Sequence, residues 1–155
     1  MKFISYALFW AVQFTWGVIQ NVLGLIIFLM HAGCEKRWFH GSILTYHKGK
    51  WGGLSLGVFI FVAAGASDDW KARTAVHEFG HSVQSLIFGP LYLLVIGVPS
   101  FLWANLAVFR RRRAHNSALY HDFWPERNAN YFGRKVTGLP SPYGVRHNPA
   151  PERFL

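Results

Sequence analysis

The chain has 155 residues, of which 52% are hydrophobic and only 15% are charged, and its formal net charge is +9. This length allows one domain, or one domain with a membrane anchor, and the composition is too apolar for an ordinary small soluble enzyme. The single cysteine excludes a structural zinc site built from thiolates.

The first element is an apolar stretch, residues 3–30, without any formally charged side chain. It exceeds the ~20 residues that cross a bilayer core, so residues 1–32 are predicted to form a retained N-terminal transmembrane helix and not a cleaved signal peptide. Its small and polar residues at helical spacing predict a face that packs against protein, either this chain or a second copy in a homo-oligomer. These residues are Gln13, Gly17, Gln20 and Gly24.

Two strands are predicted next, Trp38–His47 and Leu54–Ala63, joined by a glycine-rich linker into a β-hairpin. The second strand leads directly into the helix that follows, so its edge is the candidate for holding an extended peptide by main-chain hydrogen bonds. The alternative is that the hairpin only covers the core.

Residues 77–81 read His-Glu-Phe-Gly-His within a helical stretch, residues 70–88, that ends at Gly89-Pro90. Asp68 and Asp69 are expected to cap its N-terminus. Because residues four apart share one face of a helix, His77 and His81 can bind one ion while Glu78 reaches a water on it. Zinc hydrolases use this arrangement, with two metal ligands and a general base in one turn.

The apolar stretch Leu86–Phe109 is interrupted by Gly-Pro and Gly-Val-Pro sequences and is predicted to be a broken, re-entrant or membrane-embedded segment. The run Arg110–Arg113 follows it, and almost all basic residues follow the first helix. The positive-inside rule therefore places the catalytic part at the cytoplasmic face of the membrane, with the arginines at anionic lipid headgroups. No motif supports nucleic acid as the partner.

A catalytic zinc site needs a third protein ligand. Pro125 suits the first turn of a helix, which places Glu126 near a helix N-terminus and makes it the predicted third ligand. The competing interpretation is a solvated glutamate at a helix start. The alternative ligands are His121 and Asp122, followed by His115. From residue 138 onward the chain is rich in proline and is predicted to be an extended tail.

The motif His77-Glu78-Phe79-Gly80-His81 followed by Glu126-x-x-Ala129 resembles the gluzincin branch of zinc metallopeptidases, which pair HExxH with a glutamate from a later helix. Three stretches, residues 54–62, 77–100 and 121–130, are also similar to a family of small bacterial membrane proteins. The resemblance implies a metallopeptidase-like site without naming a substrate. The spacing to Glu126 and the residues before it depart from the usual gluzincin pattern.

These observations predict an α+β membrane protein with a zincin-like catalytic domain over residues 33–137. The expected function is a membrane-anchored peptidase that hydrolyses extended or membrane-proximal peptides with a zinc-bound water, Glu78 acting as the base. His121 is the first candidate for the oxyanion donor, with Tyr120 and Tyr131 as alternatives. Asn130 or Asp122 is expected to orient a ligand histidine. The alternative functions are a non-catalytic metal-binding membrane protein and a metal-dependent hydrolase of a lipid or cell-wall precursor.

Overall fold

The computed structural model describes residues 3–116 and 120–142. Its helices are α1 (Phe3–Thr15), α2 (Val18–Met30), α3 (Asp68–Phe88), α4 (Val98–Asn105), α5 (Ala107–Asn116) and α6 (Trp124–Thr137). Its strands are β1 (Glu35–Phe39), β2 (Ser42–His47), β3 (Gly53–Leu56) and β4 (Phe59–Ala63). Short 3₁₀ or π turns lie at Gly89–Leu91, Leu93–Gly97 and Tyr120–Asp122. The predicted α+β class is confirmed; most of the expected proline-rich tail lies outside the described residues.

The strands form one sheet in the order β1-β2-β4-β3, in which β2 and β4 are parallel and the outer pairs are antiparallel. The prediction of two long strands in one hairpin is therefore wrong, because each predicted strand is itself a hairpin. The first folds back at His40-Gly41, where both residues have positive φ, as the tight two-residue turn requires. As a result β4 is a central strand, and the free edge beside α3 belongs to β3.

The core lies between the sheet and α3. Residues 58–62 of β4 and the turn before it are at most 3% exposed, and they pack with Ala75 and Phe79 of α3. The side chain that caps α3 is Ser67, whose hydroxyl accepts a hydrogen bond from the Trp70 N–H at 3.4 Å. Asp68 and Asp69 occupy the first turn instead of the cap, and each forms an ion pair with a basic residue three or four positions later.

Residues 1–32 were expected to form one helix, but the described part contains two, α1 and α2, separated by a sharp bend at Trp16-Gly17. The physical reason is Asn21. Its side-chain amide donates to the carbonyl oxygens of Gln13 (2.7 Å) and Gly17 (2.8 Å), while its Oδ1 accepts the Val58 N–H at 2.9 Å. One side chain thus binds two carbonyls at the bend and holds it against the turn before β4.

The predicted polar stripe does pack against protein, and the partner is α3 of the same chain. The Gln13 side-chain amide donates to the Ser82 carbonyl at 2.9 Å, and the Gln20 amide donates to the Ser85 hydroxyl at 2.8 Å. Both glutamines are fully buried. These contacts dock α1 and α2 onto the C-terminal half of α3.

Helix α3 ends at Phe88, and the apolar stretch that follows is broken into short turns and α4, as predicted. Among the described residues, no single helix combines the length and apolar character needed to cross a bilayer. Two pairs of consecutive helical segments have the necessary length and apolar character when taken together, but each pair is sharply bent. The pairs are Tyr6–Thr15 with Val18–Met30, bent by 101°, and Asp68–Leu91 with Leu93–Asn105, bent by 119°.

Helix α6 packs along α3 at a distance that only glycine permits. A Cβ atom on Gly80 would lie 2.8 Å from Cα of Ala129, and a Cβ on Gly133 would lie 3.0 Å from the carbonyl carbon of Val76. Real Cβ atoms rarely approach a fixed backbone so closely, so both positions require glycine. This close approach carries the first turn of α6 to the histidines of α3.

Candidate metal centre

The two histidines and the glutamate of the HExxH motif lie in the middle of α3 and are 5–7% exposed. Glu126 lies in the first turn of α6, as predicted, and is fully buried. Its Oε2 atom is 3.1 Å from Nε2 of His77 and 3.7 Å from Nε2 of His81. Both Nε2 atoms therefore lie within 4 Å of the same carboxylate oxygen. The described group whose potential ligand atoms all lie within 4.8 Å of one another contains His121 in place of His81, together with His77 and Glu126.

Asn130 fixes the orientation of His77. The Asn130 amide nitrogen donates to the main-chain oxygen of Glu126 at 3.0 Å, which turns its Oδ1 toward Nδ1 of His77, 3.1 Å away. Nδ1 must carry the proton in that hydrogen bond, so in the neutral ring the lone pair is on Nε2. This is the contact expected of Asn130 from the sequence, and it aims the Nε2 lone pair at Glu126.

Gln84 does the same for His81. Its amide nitrogen donates to the Pro125 carbonyl at 2.9 Å, and its Oε1 accepts from Nδ1 of His81 at 2.7 Å. Gln84 was not predicted, although it lies three residues after His81, on the same face of the helix. Both histidines thus hold their protons on Nδ1 and direct an Nε2 lone pair toward one carboxylate oxygen.

Two lone pairs and a carboxylate repel one another unless a positive charge lies among them. A proton on either ring supplies that charge. For His81, burial disfavours the charged ring, but the hydrogen bond to Glu126 and the nearby carboxylates outweigh burial and raise the pKa of His81 to about 9. A divalent cation supplies the positive charge more completely. The second carboxylate oxygen of Glu126, Oε1, is buried without a hydrogen-bond partner among the described residues. A buried orphan oxygen beside two oriented imidazoles fits a zinc ion.

Burial disfavours the charged form of Glu126, but the two histidines outweigh that effect and lower its pKa far below the usual value. The carboxylate is therefore ionised at neutral pH, as a metal ligand must be. Burial raises the pKa of Glu78, the other acid at the centre, which is the direction expected for a general base that works near neutral pH.

His121 also lies at the centre, in the 3₁₀ turn before α6. One potential ligand atom from each of His77, His121 and Glu126 falls within a mutual distance of 4.8 Å. The second proton of the Asn130 amide nitrogen points to Nδ1 of His121 at 3.2 Å, so the neutral His121 ring carries its proton on Nε2. Burial lowers its pKa to about 4, which keeps the ring neutral. This tautomer suits a hydrogen-bond donor, although the distances also allow a fourth ligand.

Gly53 of β3 lies directly against the carboxylate of Glu78. A Cβ atom at Gly53 would lie 2.8 Å from Cδ of Glu78 and 2.9 Å from Cγ2 of Thr74. The residue was part of the predicted linker, and nothing local in the sequence indicates that it touches Glu78.

The other candidates differ in their exposure and surroundings. Asp122 is exposed, and Tyr131 is 48% exposed on α6. Tyr120 lines the cavity beside the centre together with His77, Glu78, His81 and Glu126. The side chain of His115 lies outside the described residues.

Comparison with known proteins adds no further information about the centre: no protein-family model, no curated protein and no solved structure matches this chain.

Proposed function

We propose that this protein is a membrane-associated zinc peptidase whose metal is held by His77, His81 and Glu126. The observation that supports it best is the set of hydrogen bonds behind the histidines. Two side-chain amides hold the ring protons on Nδ1, so both Nε2 lone pairs converge on a buried carboxylate that has a second, unpartnered oxygen. Such support behind the ligands is typical of metal sites.

Zinc, when bound, supplies Lewis acidity that polarises a carbonyl and makes water a better nucleophile. Glu78 is placed to take the proton of the attacking water and pass it to the leaving nitrogen, which completes the addition of water across the peptide bond. His121, neutral and protonated on Nε2, donates a hydrogen bond to the oxyanion in this proposal. Asn130 positions His77 and His121 together, because its amide contacts both rings.

The free edge of β3 favours a peptide as the substrate. The Ala63 N–H donates to the Gly52 carbonyl, so the alternation of an antiparallel pair turns the main-chain groups of Gly53 and Ser55 away from β4. The Ser55 carbonyl accepts a hydrogen bond from the Tyr92 hydroxyl, so a peptide would pair with the Ser55 N–H and with the groups of Gly53. Gly53 is also in contact with Glu78. An extended peptide added to this edge places its main chain beside the general base. The edge is formed by β3, which is the N-terminal part of the predicted strand Leu54–Ala63, whereas the part that leads into α3 is the central strand β4.

Membrane association is part of the proposal because α2 and the 91–106 region expose many large apolar side chains, and four consecutive arginines follow at 110–113. The cytoplasmic face remains the side favoured by the distribution of basic residues.

Metal analysis of the purified chain and a Glu78→Gln variant test the proposal. We expect about one zinc per chain, retained in Glu78→Gln, with peptide hydrolysis lost; His77→Ala with His81→Ala should lose both. Zinc retained in the double variant contradicts the assigned site. If the unsubstituted protein binds zinc but cleaves no peptide in a diverse library, the alternatives are favoured. These are a non-catalytic metal-binding protein and a hydrolase of a lipid or cell-wall precursor.

A further inference from the structure

A cavity of about 370 Å³ lies beside the metal centre, and its floor and rim differ in exposure. Tyr92, Ile96 and Leu56 form the floor and are at most 8% exposed. Leu23 of α2 and Phe101 of α4 also line the cavity but are 41% and 66% exposed, so they form its rim. The cavity therefore opens between α2 and α4.

Apart from the residues of the metal centre itself, the described residues that line this cavity carry no formal charge. The hydroxyl of Tyr92 is engaged with the Ser55 carbonyl at 3.2 Å. The buried Ser100 hydroxyl has no hydrogen-bond partner among the described residues. An engineered cavity of about 150 Å³ is enough to hold benzene, so this one accommodates a large aliphatic or aromatic side chain.

The surfaces around the rim are apolar as well. On α2, Ile19, Val22 and Ile26 are each about half exposed, and Leu94 beside α4 is 69% exposed. Residues 3–30 and 86–109 contain no Asp, Glu, Lys or Arg, whereas Arg110–Arg113 follow immediately. Apolar faces of this extent, bordered by a cluster of cations, match the chemistry of a bilayer with anionic headgroups.

We infer that lipid covers the outer faces of α2 and α4, and that the cavity receives an apolar side chain of a peptide segment that reaches the centre from the lipid side. The inference rests on the proposed peptidase and adds the class of substrate: extended segments with a large apolar side chain next to the scissile bond. An acidic or basic side chain is disfavoured because, away from the residues of the metal centre, the lining offers it no charged partner while removing it from water.

The lipid contact is tested on the full chain in vesicles of phosphatidylcholine and phosphatidylglycerol. In a Cys34→Ser background, a bimane label is placed through Leu94→Cys or Phe101→Cys, with Val136→Cys on the exposed face of α6 as the matched control. Lipids brominated on their acyl chains should quench the first two labels and spare the third. Equal quenching at all three positions, or failure of the protein to associate with the vesicles, overturns the inference. Neither result depends on whether the protein binds zinc.

The side-chain preference is tested with the zinc-loaded Glu78→Gln variant, which reports binding independently of turnover. Labelled extended peptides that differ only in Leu or Asp at one position are compared by fluorescence anisotropy. The Leu peptide should bind at least ~10-fold more tightly, and Phe101→Lys at the rim should remove most of that difference while Val136→Lys does not. Equal affinities for the Leu and Asp peptides overturn the inference without contradicting the proposed metal site. If the unsubstituted protein does not bind zinc, the proposed function itself is contradicted.

Discussion

Gly53 offers the sharpest test of how the sheet and helix α3 are fitted together. In Gly53→Ala the new methyl carbon would lie 2.8 Å from Cδ of Glu78 and 2.9 Å from Cγ2 of Thr74, and closer still to the carboxylate oxygen. Carbon atoms in contact prefer ~3.5–4.0 Å, so the carboxylate has to move by about 1 Å. A displacement of that size at a catalytic group costs about 100-fold in rate.

We therefore expect Gly53→Ala to lower kcat about 100-fold at unchanged zinc content, because the new methyl group meets Glu78 and not the histidines. Overpacking should also lower the free energy of unfolding by about 1–3 kcal/mol. Gly52→Ala is the matched control, since a Cβ there meets only the Trp70 ring at 3.9–4.0 Å, an ordinary contact. Peptide hydrolysis, zinc analysis and thermal unfolding are measured on both variants. Wild-type kcat in Gly53→Ala, or an equal loss in Gly52→Ala, refutes the argument.

The remaining predictions concern the groups around the centre. Asn130→Ala should weaken zinc binding about 10–100-fold, measured by competition with a chelator, because His77 loses the acceptor that orients it; Asn128→Ala on the same helix should bind zinc normally, and equal affinities would contradict the role of Asn130. His121→Ala should keep its zinc and lose about 100–1000-fold in kcat if His121 donates to the oxyanion, whereas loss of zinc would instead identify it as a ligand. Asn21→Ala should lower the free energy of unfolding by at least about 1–3 kcal/mol, since it leaves the buried Val58 N–H without its acceptor; an unchanged denaturation midpoint would show that the bend between α1 and α2 does not depend on this side chain.

Much of the candidate metal centre was predictable because its geometry is local. His77, Glu78 and His81 occupy little more than one turn of α3, and the period of a helix alone determines which of them share a face. Pro125 indicates where α6 begins, so the position of Glu126 in the first turn followed from the sequence. Asn130 lies one turn after Glu126, which is why its contact with a histidine of α3 was expected, with Asp122 as the alternative.

The sheet was predicted less well because strand pairing is not local. Strand-forming residues indicate extended chain, but they do not say where a run folds back or which neighbour it joins. The parallel pairing of β2 with β4 leaves β3 at the edge, and that topology is what brings Gly53 to Glu78. No periodicity in the sequence connects those two residues.

The N-terminal helices show the same division. Composition showed that residues 3–30 are apolar, and the length of the stretch and the spacing of its polar residues predicted a helix with a stripe that packs against protein. Only the tertiary structure decided that the stretch bends at Gly17, because Asn21 binds the carbonyls at the bend and also the Val58 N–H, 37 residues away along the chain. Helical periodicity is encoded in neighbouring residues, whereas a bend held by a distant hydrogen bond exists only once the sheet has formed beside it.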